Sequence, residues 1–334
     1  MVVTGASGFI GSHVAKSTIA AGFKVFGTTR SDRHNEELLA AVPGLQLLTL
    51  DLLTSTEDDI TALLEGCGCR YLMHVASPFP GSSVTDEEMK TAVAGTEKMV
   101  RAAKRAGVAR LIVTSSVAAI SANWPKTGSQ RKGTAENPFT GEDWSVLEGL
   151  TSSYSRSKTV AEQTARSLCE ELDLEIATIH PSFVQGPLLL PRQPTSTALC
   201  KRMLEGAMPA VPAVGMNVVS VLDVADAHVQ AITAPPARYI VAAGNILYTD
   251  LARRLAAKYA ADGWRIKTRS IPWFVFYCYT FLDAQAAAVL PMWKDETYYD
   301  CSNTEAMLGR PLQDAYASCD AMAQSLIRLG VVQK

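Results

Sequence analysis

Immediately behind a short apolar run, Met1–Thr4, the chain reads Thr4-Gly5-Ala-Ser7-Gly8-Phe9-Ile10-Gly11. No other feature limits the fold as strongly. Gly5 permits a tight turn, Gly8 lets the backbone approach a pyrophosphate, and Gly11 allows a helix to pack closely on the strand it follows. The helical stretch Ser12–Ala21 then offers its N-terminus to negative charge. Glycines also mark ordinary turns, and the spacing is GxxGxxG rather than GxGxxG. Its place at the first strand-to-helix junction makes it a dinucleotide cradle, with Ser7, Phe9 and Ile10 supplying backbone around the phosphates.

Such a turn needs a parallel sheet behind it, and the first half of the chain supplies one. Candidate strands are Met1–Thr4, Lys24–Thr29, Leu45–Leu50, Arg70–Val75, Arg110–Thr114 and Leu174–His180, separated by helical segments. In Glu88–Ala106, residues Met89, Val93, Thr96, Met99, Val100 and Ala103 recur near helical spacing, with Lys and Arg opposite. The expected class is α/β, a Rossmann-type doubly wound parallel sheet with a smaller C-terminal α/β substrate lobe. Beyond Pro181 the turn-rich Gly186-Pro-Leu-Leu-Leu-Pro-Arg-Gln-Pro194 changes the texture. Residues 1–182 and 216–243 are expected to form the dinucleotide-binding domain, and 183–215 and 244–334 the substrate lobe. Ser121–Gly149 reads as a long excursion from the sheet.

The 334 residues are 48% hydrophobic and 19% charged, enough for a sizeable core. Lys plus Arg is 31 against 33 Asp plus Glu, a net charge of −2, which argues against a nucleic-acid or anionic-membrane partner and for a small molecule. Seven cysteines, scattered apart from Cys67-Gly-Cys69, make neither a metal spacing nor a disulfide framework, so a reduced, cytoplasmic setting is expected. The glycine cluster comes too early for a signal peptide, and so short a first strand suggests that a few residues precede Met1. The longest apolar stretch, Ile271–Leu282, has 12 residues, well under the roughly 20 that cross a bilayer, and is expected to be buried or pocket-lining. A monomer or homodimer is expected.

Two further features concern chemistry. A sheet that binds NAD usually ends its second strand in an acidic residue; here Val25-Phe-Gly-Thr-Thr29 is followed by Arg30, with Arg33 and His34 close behind. A guanidinium there pairs with a 2′-phosphate, which points to NADPH over NADH. Asp51 and Leu52, after the third strand, are placed to meet the adenine edge. Tyr154-Ser-Arg-Ser-Lys158 sets a phenol and an ammonium four residues apart, on one helix face. With ten tyrosines in the chain such a pair is close to what chance supplies. Ser115-Ser116, at the end of a preceding strand, makes it more specific, because carbonyl reduction needs a group to orient the carbonyl, an acid for its oxygen and a hydride donor. Ser116 would orient the oxygen, Tyr154 protonate it, and Lys158 bind the nicotinamide ribose and stabilise the phenolate left behind. Alternation along the strand does not separate Ser115 from Ser116.

The ordered series Thr4–Gly11, Arg30, Asp51-Leu52, His74-Val-Ala-Ser-Pro78, Thr114-Ser-Ser116, Tyr154–Lys158, His180-Pro-Ser-Phe-Val-Gln-Gly-Pro187, Leu222-Asp-Val-Ala-Asp-Ala-His228 and Ser302–Gly309 spans nearly the whole chain. It resembles the extended short-chain dehydrogenase/reductases, in the branch of dihydroflavonol reductase, cinnamoyl-CoA reductase and microbial aldehyde or methylglyoxal reductases. The resemblance implies that Val75, Ala76 and Ser77 lie under the cofactor, that Pro181, Ser182 and Val184 flank the nicotinamide, that Ser196 touches the phosphates, and that Ser116 is the catalytic serine. The chain departs from the pattern in having no Arg in Leu222–Ala225 and no Asn in Ala92-Val-Ala-Gly-Thr96, so a backbone group or water must position Lys158. Asp223 is expected to cap a helix and His228 to be a packing histidine.

The leading expectation is therefore NADPH-dependent reduction of an aldehyde or ketone. A nucleotide-sugar epimerase or dehydratase shares the fold but favours an acidic second-strand end. A steroid dehydrogenase gains weight if Ile271–Leu282 faces the pocket. A dinucleotide-sensing regulator would have lost the tyrosine. The substrate pocket is expected between Ser77-Pro-Phe-Pro80, the excursion with Trp124, Phe139 and Trp144, and the segment Leu188–Met208, and its content suggests a moderately hydrophobic substrate.

Overall fold

A computed structural model describes the chain except residues 32–34, 77–85, 126, 129–130, 192–193 and 209, and gives the backbone alone at 86–92, 284–285 and 288. The expected βα units are present, in the order β1 (Val2–Val3), α1 (Phe9–Ala20), β2 (Phe26–Thr29), α2 (Asn35–Ala41), β3 (Gln46–Thr49), α3 (Glu57–Gly66), β4 (Tyr71–His74), α4 (Asp86–Arg105) and β5 (Arg110–Thr114). After the 121–149 excursion come α5 (Ser153–Glu171), β6 (Glu175–Pro181), β7 (Phe183–Gln185), α6 (Ala198–Leu204), β8 (Gly215–Ser220), α7 (Val221–Gln230) and β9 (Arg238–Val241). The chain ends with β10 (Gly244–Leu247), α8 (Tyr248–Tyr259), α9 (Trp273–Tyr279), α10 (Ala284–Val289), α11 (Ser302–Leu308) and α12 (Ala315–Arg328).

Seven strands form one parallel sheet in the order β3-β2-β1-β4-β5-β6-β9. Connections run outward in both directions from β1 and β4, so a crevice forms between them at the carboxyl edge, where open α/β sheets bind ligands. Alternation along the strands builds a core on each face. Val2, Leu72 and Leu111 pack with Met99, Ala103 and Ala165 of α4 and α5, whereas their neighbours Val3, Met73 and Ile112 pack with Val14 of α1 and Val224 of α7. These strands are apolar on both sides because both faces are covered.

A second sheet, β10-β8-β7, lies over its own core with α6, α8 and α12. Strand β7 belongs to both bodies: Val184 joins the core of the large sheet and Phe183 packs against the second core. Phe9, the first residue of α1, also touches both cores. All seven cysteines are free thiols. No described helix is long and apolar enough to cross a membrane.

Candidate active site

The glycine turn sits over the crevice. Gly5 has φ +67°, the left-handed region, and a side chain there would also meet the Ala76 backbone at 3.0 Å. A Cβ on Gly11 would lie 2.1 Å from the Gly5 carbonyl oxygen, so helix and loop could not close on each other. The helix starts earlier than its apolar pattern suggests, at Phe9, with Gly8 as N-cap, a residue that offers the first-turn amides no side chain. Those donors face the crevice. Thr4 locks the turn to β4: its hydroxyl accepts from the Ala76 amide at 3.0 Å and donates to His74 Nδ1 at 3.0 Å. His13 fastens α1 to the loop after β7, its Nε2 donating to the Pro187 carbonyl at 2.8 Å.

Arg30 follows β2, exposed, and makes no ion pair among the described residues. Beside it, at the end of β2, Thr29 Oγ1 is buried and finds no partner among the described residues. Arg33, His34, Ser77 and the Ser77–Pro80 wall lie outside the described residues. Val75 and Ala76 are half-buried just beyond β4. Asp51 turns the chain after β3, its carboxylate accepting from the Leu53 amide at 3.0 Å, and the Leu52 carbonyl accepts from Lys98 at 3.1 Å. Pro181, Ser182 and Val184 are buried at the β6–β7 junction, where Ser182 Oγ likewise has no partner among the described residues. Ser196 is half-buried in a 3-10 turn, held through its carbonyl by Gln185 Nε2 at 2.7 Å.

Ser152 caps α5 by accepting from the Ser155 amide at 3.2 Å, which fixes the helix start two residues before Tyr154. Tyr154, 36% exposed, and half-buried Lys158 then follow one turn apart. Burial and, after it, the charge of Lys158 push His74, the last residue of β4, down to about 4. One turn deeper on the same face is Glu162, which the sequence reading missed. It accepts from Ser115 Oγ at 2.6 Å, Arg238 Nε at 2.7 Å and Thr178 Oγ1 at 3.2 Å, and lies 3.1 Å from His180 Nε2. Burial alone would raise its pKa, but His180 and Arg238 hold the carboxyl well below the usual carboxylate range. His180 Nδ1 in turn donates to the Ser116 carbonyl at 3.2 Å.

This network separates the two serines. The Ser115 hydroxyl is committed to Glu162 in the interior, while Ser116 is half-buried and among the described residues its oxygen accepts only the Ala118 amide, at 3.1 Å. The signal was present in the sequence: an acidic residue four positions beyond Lys158, on a helix face that otherwise turns inward with Ala165 and Leu168.

Beyond β7 a cavity of about 240 Å³ is lined by Phe183, Leu199, Met208, Met216, Tyr248 and Phe276 among others. Leu199 and Met208 come from the expected Leu188–Met208 segment. None of the three aromatic residues expected from the excursion lines this cavity. Trp124 Nε1 donates to the Ile120 and Trp144 carbonyls at 3.1 and 2.9 Å, Phe139 is buried with Ile120, Ile240 and Ala242, and the Arg238 guanidinium stacks 3.7 Å from the Trp144 ring centre. Each ring finds its partner within the excursion or on β9, so it closes that edge of the sheet instead. The apolar stretch is buried only in part. Ile271, Phe276 and Tyr279 line the cavity, but Phe274, Phe281 and Leu282 are 65%, 75% and 85% exposed, because no described element covers the outer side of the short α9.

Asp223 does not cap α7; Ser220 does, accepting from the Leu222 amide at 3.2 Å. The fully buried Asp223 instead accepts from Arg310 at 2.7 Å and the Gln313 amide at 2.8 Å, bolting the C-terminal segment to α7. His228 is a packing histidine, donating from Nδ1 to the Val224 carbonyl and accepting at Nε2 from Thr114, both at 2.7 Å.

The profile of the NAD dependent epimerase/dehydratase family matches residues 1–243. Cinnamoyl-CoA reductase 1 of Oryza sativa subsp. japonica is 33% identical over 241 residues, covering 71% of this chain and 68% of that protein. Tetraketide alpha-pyrone reductase 1 of Arabidopsis thaliana is 30% identical over 276 residues, 77% of this chain and 80% of that protein. The NADPH complex of yeast methylglyoxal/isovaleraldehyde reductase Gre2 superposes with a TM-score of 0.77 over 99% of both chains, at 22% identity, a likeness of fold alone. With a matching family profile and reductase relatives at this identity, the chain belongs to the NAD dependent epimerase/dehydratase family, the extended short-chain dehydrogenase/reductases, and is an NAD(P)-dependent oxidoreductase of the cinnamoyl-CoA and anthocyanidin reductase branch.

Proposed function

We propose that the protein reduces an aldehyde or ketone to an alcohol with NADPH, with Tyr154 as the proton donor. The observation that carries this reading is that Glu162, one helical turn beyond Lys158, takes the Ser115 hydroxyl into the interior and holds His180 against the Ser116 carbonyl, so that α5 and the Ser115–Ser116 strand end are tied together. The residues present fit the cofactor. The turn admits no side chain at Gly11, the N-cap of α1 offers the first-turn amides none, and two buried hydroxyls without a described partner, Thr29 and Ser182, stand at the carboxyl edge of the sheet. Gly5, Ser7, Gly8, Phe9, Ile10 and Gly11 would hold the pyrophosphate. Arg30, exposed just beyond β2, would pair with the 2′-phosphate. Asp51 and Leu52 would meet the adenine edge, Val75, Ala76 and Ser77 would lie under the cofactor, Pro181, Ser182 and Val184 would flank the nicotinamide, and Ser196 would touch the phosphates. Gre2, whose fold this chain shares, was crystallised with NADPH.

When bound, NADPH supplies the hydride. Ser116, whose hydroxyl is not drawn into the interior as that of Ser115 is, orients the substrate oxygen by donating a hydrogen bond. Tyr154 gives that oxygen its proton as negative charge develops there. Lys158 holds the nicotinamide ribose and stabilises the phenolate that remains. In this scheme the stretches 1–182 and 216–243 carry the cofactor and 183–215 and 244–334 the substrate, with β8 joining the two through its pairing with β7. Tyr154→Phe should lower kcat by at least about 100-fold while NADPH binding, followed by fluorescence titration, stays near that of the parent. Retained turnover refutes the assignment of the acid. An apolar cyclic ketone of the steroid kind is the second reading, favoured by Ile271, Phe276 and Tyr279 facing the cavity.

A further inference from the structure

The cavity beyond β7 is apolar over most of its wall, and its polar groups gather in one part of it. Tyr248, the first residue of α8, is 6% exposed, and the only contact of its hydroxyl among the described residues is Met216 Sδ at 3.8 Å. A thioether is a weak acceptor, and a buried donor without a good acceptor destabilises the fold. Burial, the larger effect, and the neighbouring thiols push the Tyr248 phenol up, so it remains a donor throughout the working range of pH. Arg202 lines the same cavity from the last turn of α6, and its charge acts on both Tyr248 and Tyr279. Its ion pair with Asp283 is long, 3.7 Å. The Asp283 oxygens have closer partners, the Tyr279 hydroxyl and the Ala286 amide, each at 3.1 Å. Phe183 and Thr195 bring the wall of the cavity to the sequence neighbours of Ser182 and Ser196.

A guanidinium and a protonated phenol that line one apolar chamber can together receive a carboxylate: the first supplies charge and a forked donor, the second one more hydrogen bond. We propose that this cavity is the distal part of the substrate site and that the substrate is an apolar aldehyde or ketone carrying a carboxylate at its far end, held by Arg202 and Tyr248. The proposal rests on the reading of Tyr154, Lys158 and Ser116 as a carbonyl-reducing set. Asp283 acts as the internal competitor for Arg202. It keeps the guanidinium partly neutralised until a carboxylate takes its place, and it ties α6 to the α9–α10 segment that forms one side of the chamber.

The test uses a series of ω-oxoalkanoic acids of increasing length and their methyl esters, with NADPH oxidation followed at 340 nm. At the best-fitting length the acid should exceed its ester in kcat/KM by about 10- to 100-fold, the range that hydrogen bonds to a charged group supply. Arg202→Gln should bring the acid-to-ester ratio to about one, and Tyr248→Phe should lower it by about 3- to 10-fold, the range of a single neutral donor. Asp283→Asn, which keeps a cap for α10, should raise the ratio. If no length favours the acid, or if Arg202→Gln leaves the ratio intact, the carboxylate is wrong and Arg202 is a latch only, while turnover of the esters preserves the reductase reading. Silence on both series, with NADPH bound, removes the reductase reading and this one with it.

Discussion

Lowering the pH from 7 to 5 should weaken the fold by several kcal/mol, because three of its five histidines are buried as neutral rings. Burial above all pushes His13, His74 and His228 from 6.5 to about 4. The hydrogen bonds of His228 suit the same state: Nδ1 donates to the Val224 carbonyl, which in the neutral ring leaves Nε2 to accept from Thr114. In the unfolded chain these rings take up protons near 6.5, in the folded one only near 4, so between those values the unfolded state binds more protons. Their contribution is thus complete above pH 6.5 and is lost as the pH falls toward 4. From pH 7 to 5 each ring should remove about 2 kcal/mol, and the three together about 6, out of a total stability of about 5 to 15 kcal/mol. Carboxylates such as Glu162, with an ordinary value of 4.5, enter only below that window. Urea unfolding followed by tryptophan fluorescence at pH 7, 6 and 5 should show a falling midpoint at constant slope. His228→Gln, whose amide can accept from Thr114 and donate to Val224, should remove about a third of the decline. A midpoint that does not move between pH 7 and 5 would refute the buried-neutral assignment.

Arg30→Ala should raise KM for NADPH by about 10- to 100-fold and leave that for NADH unchanged, as expected when one charge-assisted phosphate contact is lost; an unaltered cofactor preference would remove Arg30 from the site. Gly11→Ala places a methyl 2.1 Å from the Gly5 oxygen, so NADPH binding should disappear and the thermal midpoint drop; a variant that binds normally would mean the turn can shift. Glu162→Ala leaves Arg238 and His180 buried beside a missing carboxylate and should cost about 3 to 5 kcal/mol in urea unfolding. A loss below about 1 kcal/mol, the worth of an exposed pair, would show that water replaces the carboxylate.

What could be read from the sequence was what local geometry decides. Gly5 and Gly11 are imposed by the chain within six residues of themselves, and Tyr154 and Lys158 share a face because they are one helical turn apart. Strand alternation does not choose between Ser115 and Ser116, and the preference for Ser116 comes from the resemblance; where the Ser115 hydroxyl goes depends on a carboxylate 47 residues away that takes it. Asp223 reads as a cap until Arg310, 87 residues on, is seen to reach it. Trp124, Phe139 and Trp144 look like a binding wall by composition, but whether an indole N–H faces a ligand or a carbonyl of its own loop depends on loop conformation. The apolar run 271–282 has the same difficulty: hydrophobicity does not say that only one side of α9 has a neighbour.

A catalytic phenol must be open to its substrate and yet held to a fraction of an ångström, and the first turn of a helix by itself supplies only the first of these. Tyr154 is exposed two residues after the cap of α5, where helices fray. Its position is secured two turns deeper, where Glu162 ties the helix to the ends of β5, β6 and β9 through Ser115, His180 and Arg238. The same carboxylate fixes the ring that bonds the Ser116 carbonyl, so helix and serine are referred to one buried point. The connection between β5 and α5 is bound into the same network, because Arg238 also donates to the Gly141 and Asp143 carbonyls and Arg156 of α5 donates to the Leu147 and Leu150 carbonyls. The proposed acid and the proposed orienting group are thus referred to a carboxylate that lies in the interior, where it need not touch the substrate.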